Sequence, residues 1–178
     1  LFQRMKECLG EKEVIAEDLG YVTDPVRQLV NESGFPGMKV LEFAFDSRDS
    51  GCANDYLPHN YTENSVAYTG THDNETLAGW WKSITQEERQ LARDYLCDQT
   101  TPQKYLGQSF ISLIMRSRAK LCIIPIQDYM GLGNECRINC PSTVGINWKW
   151  RLTRADLTEE LAGQIREMVL RYGRMNWG

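Results

Sequence analysis

Apolar residues recur along this chain at two spacings, and the alternation of those spacings predicts its elements. Leu1, Phe2, Met5 and Leu9 stand at helical spacing with charges between them, and Gly10 follows as a cap, which predicts a helix over 1–9. Val14-Ile15-Ala16, set between Glu13 and Glu17, predicts a short strand. Thr23-Asp24-Pro25 opens a second helix reaching about Glu32: Thr23 or Asp24 caps it, Pro25 suits its first turn, and Gly34-Phe35-Pro36-Gly37 ends it. Met38 to Phe45 is apolar almost throughout, the pattern of a strand covered on both faces. Residues 46–64 have no period and are dense in turn formers, so they form a long loop. Ser65 to Thr69 is a third strand. Helical patterns then run from about Glu75 to Lys82, from Thr85 to Leu96 with Thr85 as cap, and from Leu106 to Ser117. Ala119 to Gln127 is a fourth strand, a glycine-bearing loop covers Gly131 to Gly145, and an amphipathic helix runs from about Asp156 to Tyr172.

One helix followed by four strand-plus-helix steps is the order of a parallel α/β fold. It amounts to half of a (β/α)8 barrel, which typically needs ~250 residues to close. No repeat and no low-complexity linker divides residues 1–178, so they read as one unit with no second domain. The 42% hydrophobic and 25% charged content excludes a disordered chain, and no apolar run approaches the ~20 residues of a membrane span. The start, Leu1-Phe2-Gln3-Arg4-Met5-Lys6, does not read as a signal peptide, and a cytoplasmic location is expected. A net charge of -4 and a pI near 5.3 disfavour nucleic acid and anionic membranes, both of which want a basic face, and leave a neutral substrate. The six cysteines form no Cys-x-x-Cys, and the two histidines, His59 and His72, form no cluster with them. Free structural thiols in a reducing compartment are expected, with no metal site.

Polar residues concentrate where the apolar runs end. Tyr68-Thr69-Gly70-Thr71-His72-Asp73-Asn74-Glu75-Thr76 follows the third strand, and Glu17-Asp18-Leu19-Gly20 follows the first. In parallel α/β folds the carboxyl ends of strands gather side chains into one pocket, so acids at two such ends suggest a shared site. Read alone, Glu17 is first a strand-end glutamate in a salt bridge, and Asp73 an Asx turn or helix cap.

The ordered series Ile15-Ala16-Glu17-Asp18-Leu19-Gly20, Leu57-Pro58-His59-Asn60-Tyr61, Tyr68 to Thr76, Gln127-Asp128 with Gly131-Leu132-Gly133, and Pro141-Ser142-Thr143 with Asn147-Trp148-Lys149-Trp150-Arg151 resembles the 4-α-glucanotransferase family. The resemblance spans nearly the whole chain and covers the C-terminal half of the family's pattern. It implies that the strands are numbers five to eight of a (β/α)8 barrel whose first four lie upstream of Leu1. It implies a retaining transfer of an α-1,4-glucan segment to the 4-hydroxyl of an acceptor sugar, with α-1,4-glucans and maltooligosaccharides as partners and no cofactor. Retention takes two carboxyl groups ~5 Å apart. By resemblance Glu17 is the general acid/base, and burial with neighbouring carboxylates is expected to keep it protonated when substrate arrives. Asp73 holds sugar hydroxyls and favours the oxocarbenium-like ring, and His72 donates a hydrogen bond to a hydroxyl. Asn147 matches a substrate-contacting asparagine. An acid of the long loop is expected near the same subsite, with Asp49 chosen and Asp46 and Asp55 as rivals. At least one of Trp80 and Trp81 is expected in the core, while Trp148 and Trp150 serve as packing or as sugar platform. The nucleophile, an aspartate in an Arg-x-Asp context at the end of strand four, is expected upstream.

Three consequences follow. Glu17, Asp73 and the loop after Gln127 should gather on one rim. The chain alone should be inactive, and its uncovered apolar face should cause self-association or poor behaviour in solution. The rival readings are an α-amylase-type hydrolase, which the Pro-Ser-Thr to Asn-Trp-Lys-Trp-Arg ending disfavours, and a carbohydrate-binding half-barrel without chemistry, which would tolerate Glu17→Gln.

Overall fold

The computed structural model describes residues 2–10, 12–20, 22–47 and 54–175. Helices α1 (Phe2–Leu9) and α2 (Asp24–Ser33) precede strand β1 (Gly37–Val40). Strand β2 (Ser65–Tyr68) is followed by α3 (Leu77–Ser83), α4 (Gln86–Leu96) and α5 (Gln103–Met115). Strand β3 (Leu121–Ile123) leads through the single turn α6 (Ile126–Tyr129) to α7 (Glu159–Arg171). The strands pair in parallel in the order β1-β2-β3, with Met38 beside Val66 and Val66 beside Leu121.

Local chemistry sets most boundaries. Thr85 and Glu88 form a reciprocal capping box: the Thr85 hydroxyl accepts from the Glu88 amide at 3.2 Å and the Glu88 carboxylate accepts from the Thr85 amide at 2.9 Å. Gly34 ends α2 at φ +72°, a left-handed conformation that suits glycine, and its N–H returns to the Asn31 carbonyl. Pro125, which has no N–H for a ladder, stops the fourth predicted strand at Ile123 and starts α6. The second predicted strand also ends early. After Val40 the chain turns into a 3-10 helix, Leu41–Phe43, which drives Leu41, Ala44 and Phe45 into the helical layer. A continuous apolar run does not distinguish that turn from more strand.

The first predicted strand, Glu13 to Glu17, is reduced to one parallel bridge between Ala16 and Gly37. Beyond it the Asp18 carboxylate takes over the ladder, accepting from the Met38 amide at 2.7 Å. A Cβ on Gly37 would lie 2.5 Å from that carboxylate, so only glycine lets Asp18 reach its place. Two predicted positions, Asp49 and Cys52, lie outside the described residues. The five described cysteines are free thiols.

Helices α3, α4 and α5 cover one face of the sheet. Phe110 is the hub, 5.5 Å from Trp80, 5.7 Å from Trp81 and 6.1 Å from Phe45 by ring centroid. Both tryptophans are buried. On the other face Ile15, Leu121 and Ile123 remain exposed. Alternation explains the difference, since Cys122 between the last two turns toward the core. No described helix is long and apolar enough to cross a membrane.

The end of α5 is secured from a distance. The Arg174 guanidinium donates to the carbonyl of Met115 at the end of α5, which a helix C-terminus leaves open, and to those of Ser117 and Ala119 in the turn before β3. Arg174→Ala is expected to lower the unfolding free energy by about 1.5–3 kcal/mol, the usual worth of hydrogen bonds to a charged group. A fall in the urea midpoint at constant slope would register it, and an unchanged midpoint would show that the guanidinium carries no stability.

Candidate functional site

The carboxyl ends of the parallel strands all point one way, so the residues that follow them share one end of the sheet. Glu17 follows the Ala16 bridge, the His72–Asp73 turn follows β2, and Gln127 follows β3. A cleft of about 590 Å³ lies between them, with Glu17, His72 and Gln127 among its walls and Met38, Tyr68 and Ile123 on its floor. Glu17 is exposed on its rim. The burial expected for it is lacking because nothing described covers the open side of the cleft. With Asp18 committed to the Met38 amide, Glu17 is the acid of this pair that faces the cleft. Burial first, and the Glu17 charge second, raise the Tyr68 phenol above its ordinary value.

The turn after β2 is pinned on every side. Asn74 Oδ1 accepts from the Thr71 amide at 2.9 Å and the Thr71 hydroxyl at 2.7 Å, and that hydroxyl accepts from the Asp73 amide at 3.2 Å. Thr76 caps α3 by accepting from the Gly79 amide. Asn74 and Thr76 therefore do the turn and cap work, which leaves the Asp73 carboxylate for other contacts. It accepts from Asn139 Nδ2 at 2.6 Å and lies 3.3 Å from His72 Nε2. Arg137 donates to the Asp73 carbonyl at 2.6 Å and to the Asn139 carbonyl at 2.8 Å. Asp73 lines a neighbouring hollow of about 360 Å³, together with Glu42, Asn74 and Arg137, rather than the larger cleft. His72 joins the two, lining the cleft while touching Asp73.

The loop after α6 closes over this turn. The Trp148 ring lies 5.1 Å from the His72 ring, its φ is +65°, and its amide donates to the Ile138 carbonyl at 2.8 Å. Asn147 holds the loop's own backbone. Its Oδ1 accepts from the Cys140 amide, and its Nδ2 donates to the Cys140 and Thr143 carbonyls. The carboxamide expected to meet substrate is thus engaged in shaping the loop that carries Trp148. Trp150 lines the cleft.

Two acids given no role from the sequence lie beneath the turn. Asp128, 4% exposed, accepts from the Thr69 hydroxyl at 2.5 Å and the Leu77 amide at 2.7 Å. Burial raises its carboxyl, and those two donors limit the rise. Glu42, 8% exposed, has one carboxylate oxygen without a hydrogen-bond partner. Burial, then Asp128 and Glu75, hold its carboxyl well above the usual range, against smaller opposing effects of Asn74 and Arg137. Asp128 stood in a motif of the resemblance, but neither acid was given a role, because those roles come from which loops meet at the strand ends. Among the described residues no cluster of three or more His, Cys, Asp and Glu side chains is arranged to hold a metal ion.

The family model described as 4-alpha-glucanotransferase matches residues 1–158. The 4-alpha-glucanotransferase of Clostridium butyricum is 44% identical over 175 residues, 98% of this chain and 35% of that protein. The chloroplastic/amyloplastic 4-alpha-glucanotransferase of Solanum tuberosum is 40% identical over 178 residues, 98% of this chain and 30% of that protein. A solved structure of amylomaltase from Streptococcus agalactiae in complex with acarbose matches with a TM-score of 0.89 and 36% identity, over 98% of this chain and 34% of that one. The chain spans about a third of the length of the curated relatives it matches. With the family model covering most of the residues, and the strand-end turns that carried the resemblance lying inside it, the chain belongs to the 4-alpha-glucanotransferase family.

Proposed function

We propose that this chain forms part of the catalytic (β/α)8 barrel of a 4-α-glucanotransferase, supplying strands five to eight and the acid/base half of the site. The observation that carries the reading is the single cleft between parallel strand ends, with Glu17 on one side and His72, in contact with Asp73, on the other. An apolar floor with few polar walls suits sugar rings, and family membership supports the glucan as substrate.

In this reading the nucleophile is an aspartate of a segment beyond these 178 residues; among those described, no strand precedes Glu17. That carboxylate attacks the anomeric carbon while the Glu17 carboxyl gives its proton to the glycosidic oxygen, so the C1–O bond breaks and the leaving sugar departs with its 4-hydroxyl restored. Glu17, now ionised, takes the proton from the 4-hydroxyl of an acceptor. That oxygen attacks C1 and releases the aspartate, which closes the cycle with retention. His72 and Asp73 hold ring hydroxyls, most strongly in the oxocarbenium-like transition state. Asp49 contributes from the long loop. Asn147 acts by holding Trp148 against His72, a change from the direct contact expected of it. We place the reaction in the cytoplasm, a reading supported by the free thiols; the Solanum tuberosum relative is chloroplastic/amyloplastic. The rest of the barrel covers the face bearing Ile15, Leu121 and Ile123 and buries Glu17; without it a second copy of the chain does so.

In the full-length enzyme Glu17→Gln is expected to lower turnover on maltotriose by roughly 10²- to 10⁴-fold, the usual contribution of a general acid/base, with glucan binding retained. Near-normal turnover would remove Glu17 from this role, and a loss of binding alone would favour a carbohydrate-binding function. The 178-residue chain by itself is expected to yield no transfer products from maltotriose and to elute as an oligomer in gel filtration. Products from the chain alone would put the nucleophile inside it.

A further inference from the structure

Glu42 is a buried acid that the reaction above does not use, and its surroundings connect it to the residues that reaction does use. It sits in the turn after β1, where its amide donates to the Thr69 carbonyl at 3.2 Å and joins the ends of β1 and β2. Its free carboxylate oxygen fills the space beneath Gly70: a Cβ there would come within 2.7 Å of it. The Asn74 side chain borders the same space, its Cβ 3.1 Å from that position, and its effect on the Glu42 carboxyl is to lower its pKa. Asn74 holds Thr71, and Thr71 holds the Asp73 amide, so an unbroken line of contacts runs from Glu42 to the His72–Asp73 turn.

We propose that Glu42 is a positioning residue for glucan transfer, a buried carboxyl that supports the 70–74 turn from beneath Gly70 and Asn74 and so sets where His72 and Asp73 stand. The proposal rests on the transferase reading for its effect on turnover. Its effect on the turn itself does not depend on that reading.

What faces the carboxyl favours its neutral form. Asp128 approaches from α6 and Glu75 from the segment before α3, both acidic. Asp46, Asp73 and Glu88 line the adjoining hollow, and the Tyr56 phenol stands on another side. Arg137 is the cation that faces it, and its guanidinium is already committed to the Asp73 and Asn139 carbonyls. Asp128 has two donors to stabilise its charge, whereas Glu42 has an oxygen with none. Two charges placed together here would be costly, and that cost falls on Glu42, the acid with an unpartnered oxygen, raising its carboxyl. The consequence for stability has a definite direction. Below the ordinary carboxylate range Glu42 is protonated in both folded and unfolded chains and its contribution is complete. As pH rises above that range the unfolded chain ionises first, and stability falls until the folded Glu42 ionises as well. A glutamine has the neutral shape at every pH and removes this loss.

The test compares wild type, Glu42→Gln and Glu42→Leu in the full-length enzyme. Glu42→Gln is expected to keep kcat on maltotriose within about twofold at pH 6, while Glu42→Leu lowers kcat about tenfold with KM little changed, the pattern of a displaced transition-state contact. Hydrogen exchange read by mass spectrometry in the peptide covering 65–81 should be slower in Glu42→Gln than in wild type, and by a wider margin at pH 8 than at pH 5. A tenfold loss of kcat in well-folded Glu42→Gln would mean that the charge is needed and would overturn the proposal. So would full turnover in Glu42→Leu, or exchange that never differs between wild type and Glu42→Gln. If the wild-type enzyme makes no transfer products, the transferase reading fails on its own, and the exchange comparison alone decides whether Glu42 holds the turn.

Discussion

The Asp128 carboxylate is the point on which the site depends, because it ties together three segments that the chain order keeps apart. One oxygen holds Thr69 at the end of β2, the other holds the first amide of α3, and the residue itself belongs to the turn after β3. A carboxylate so deeply buried is stable only if its acceptor capacity is filled, and here each oxygen has a donor. The 69–77 segment is thereby fixed at both its ends from below. Between those ends Thr71 and Asn74 form a small self-supporting turn.

From above, the same turn is held by residues 137–148. Arg137 and Asn139 grip the Asp73 backbone and side chain, the Asn139 amide returns to the His72 carbonyl, and Trp148 lies against the His72 ring. The polar end of the sheet is therefore a stack of three layers: buried acids, a short turn, and a loop folded over it. Most of this is made by hydrogen bonds between residues some sixty positions apart. Such contacts fix orientation well, since a planar guanidinium or carboxamide reaches two partners at once.

This arrangement explains what could and could not be read from the residues. The capping box of Thr85 and Glu88 was legible because it is complete within four positions, and the left-handed Gly34 because a helix end needs one. Glu17 and the His72–Asp73 turn were legible as strand-end acids. The roles of Asp128, quoted only within a motif, and of Glu42 were not, since their partners come from segments brought together only by parallel pairing. The strand at Glu13 to Glu17 was overread: its apolar residues are those of a strand, yet a strand needs a neighbour on a second side or a longer ladder, and Asp18 replaces the ladder with its side chain. Asn147 was read as contacting substrate because its role inside the loop depends on Cys140 and Thr143, whose carbonyls offer no signal in the sequence.

Trp148 stands in a left-handed conformation that costs a non-glycine residue roughly 1–2 kcal/mol. Its amide bond to Ile138 and its ring contact with His72 are what offset that cost. A glycine would relax the backbone there and at the same time strip the cover from His72. Selection for a more stable fold and selection for an aromatic face against His72 thus pull this one position in opposite directions, and a search for thermostable variants would remove the indole first.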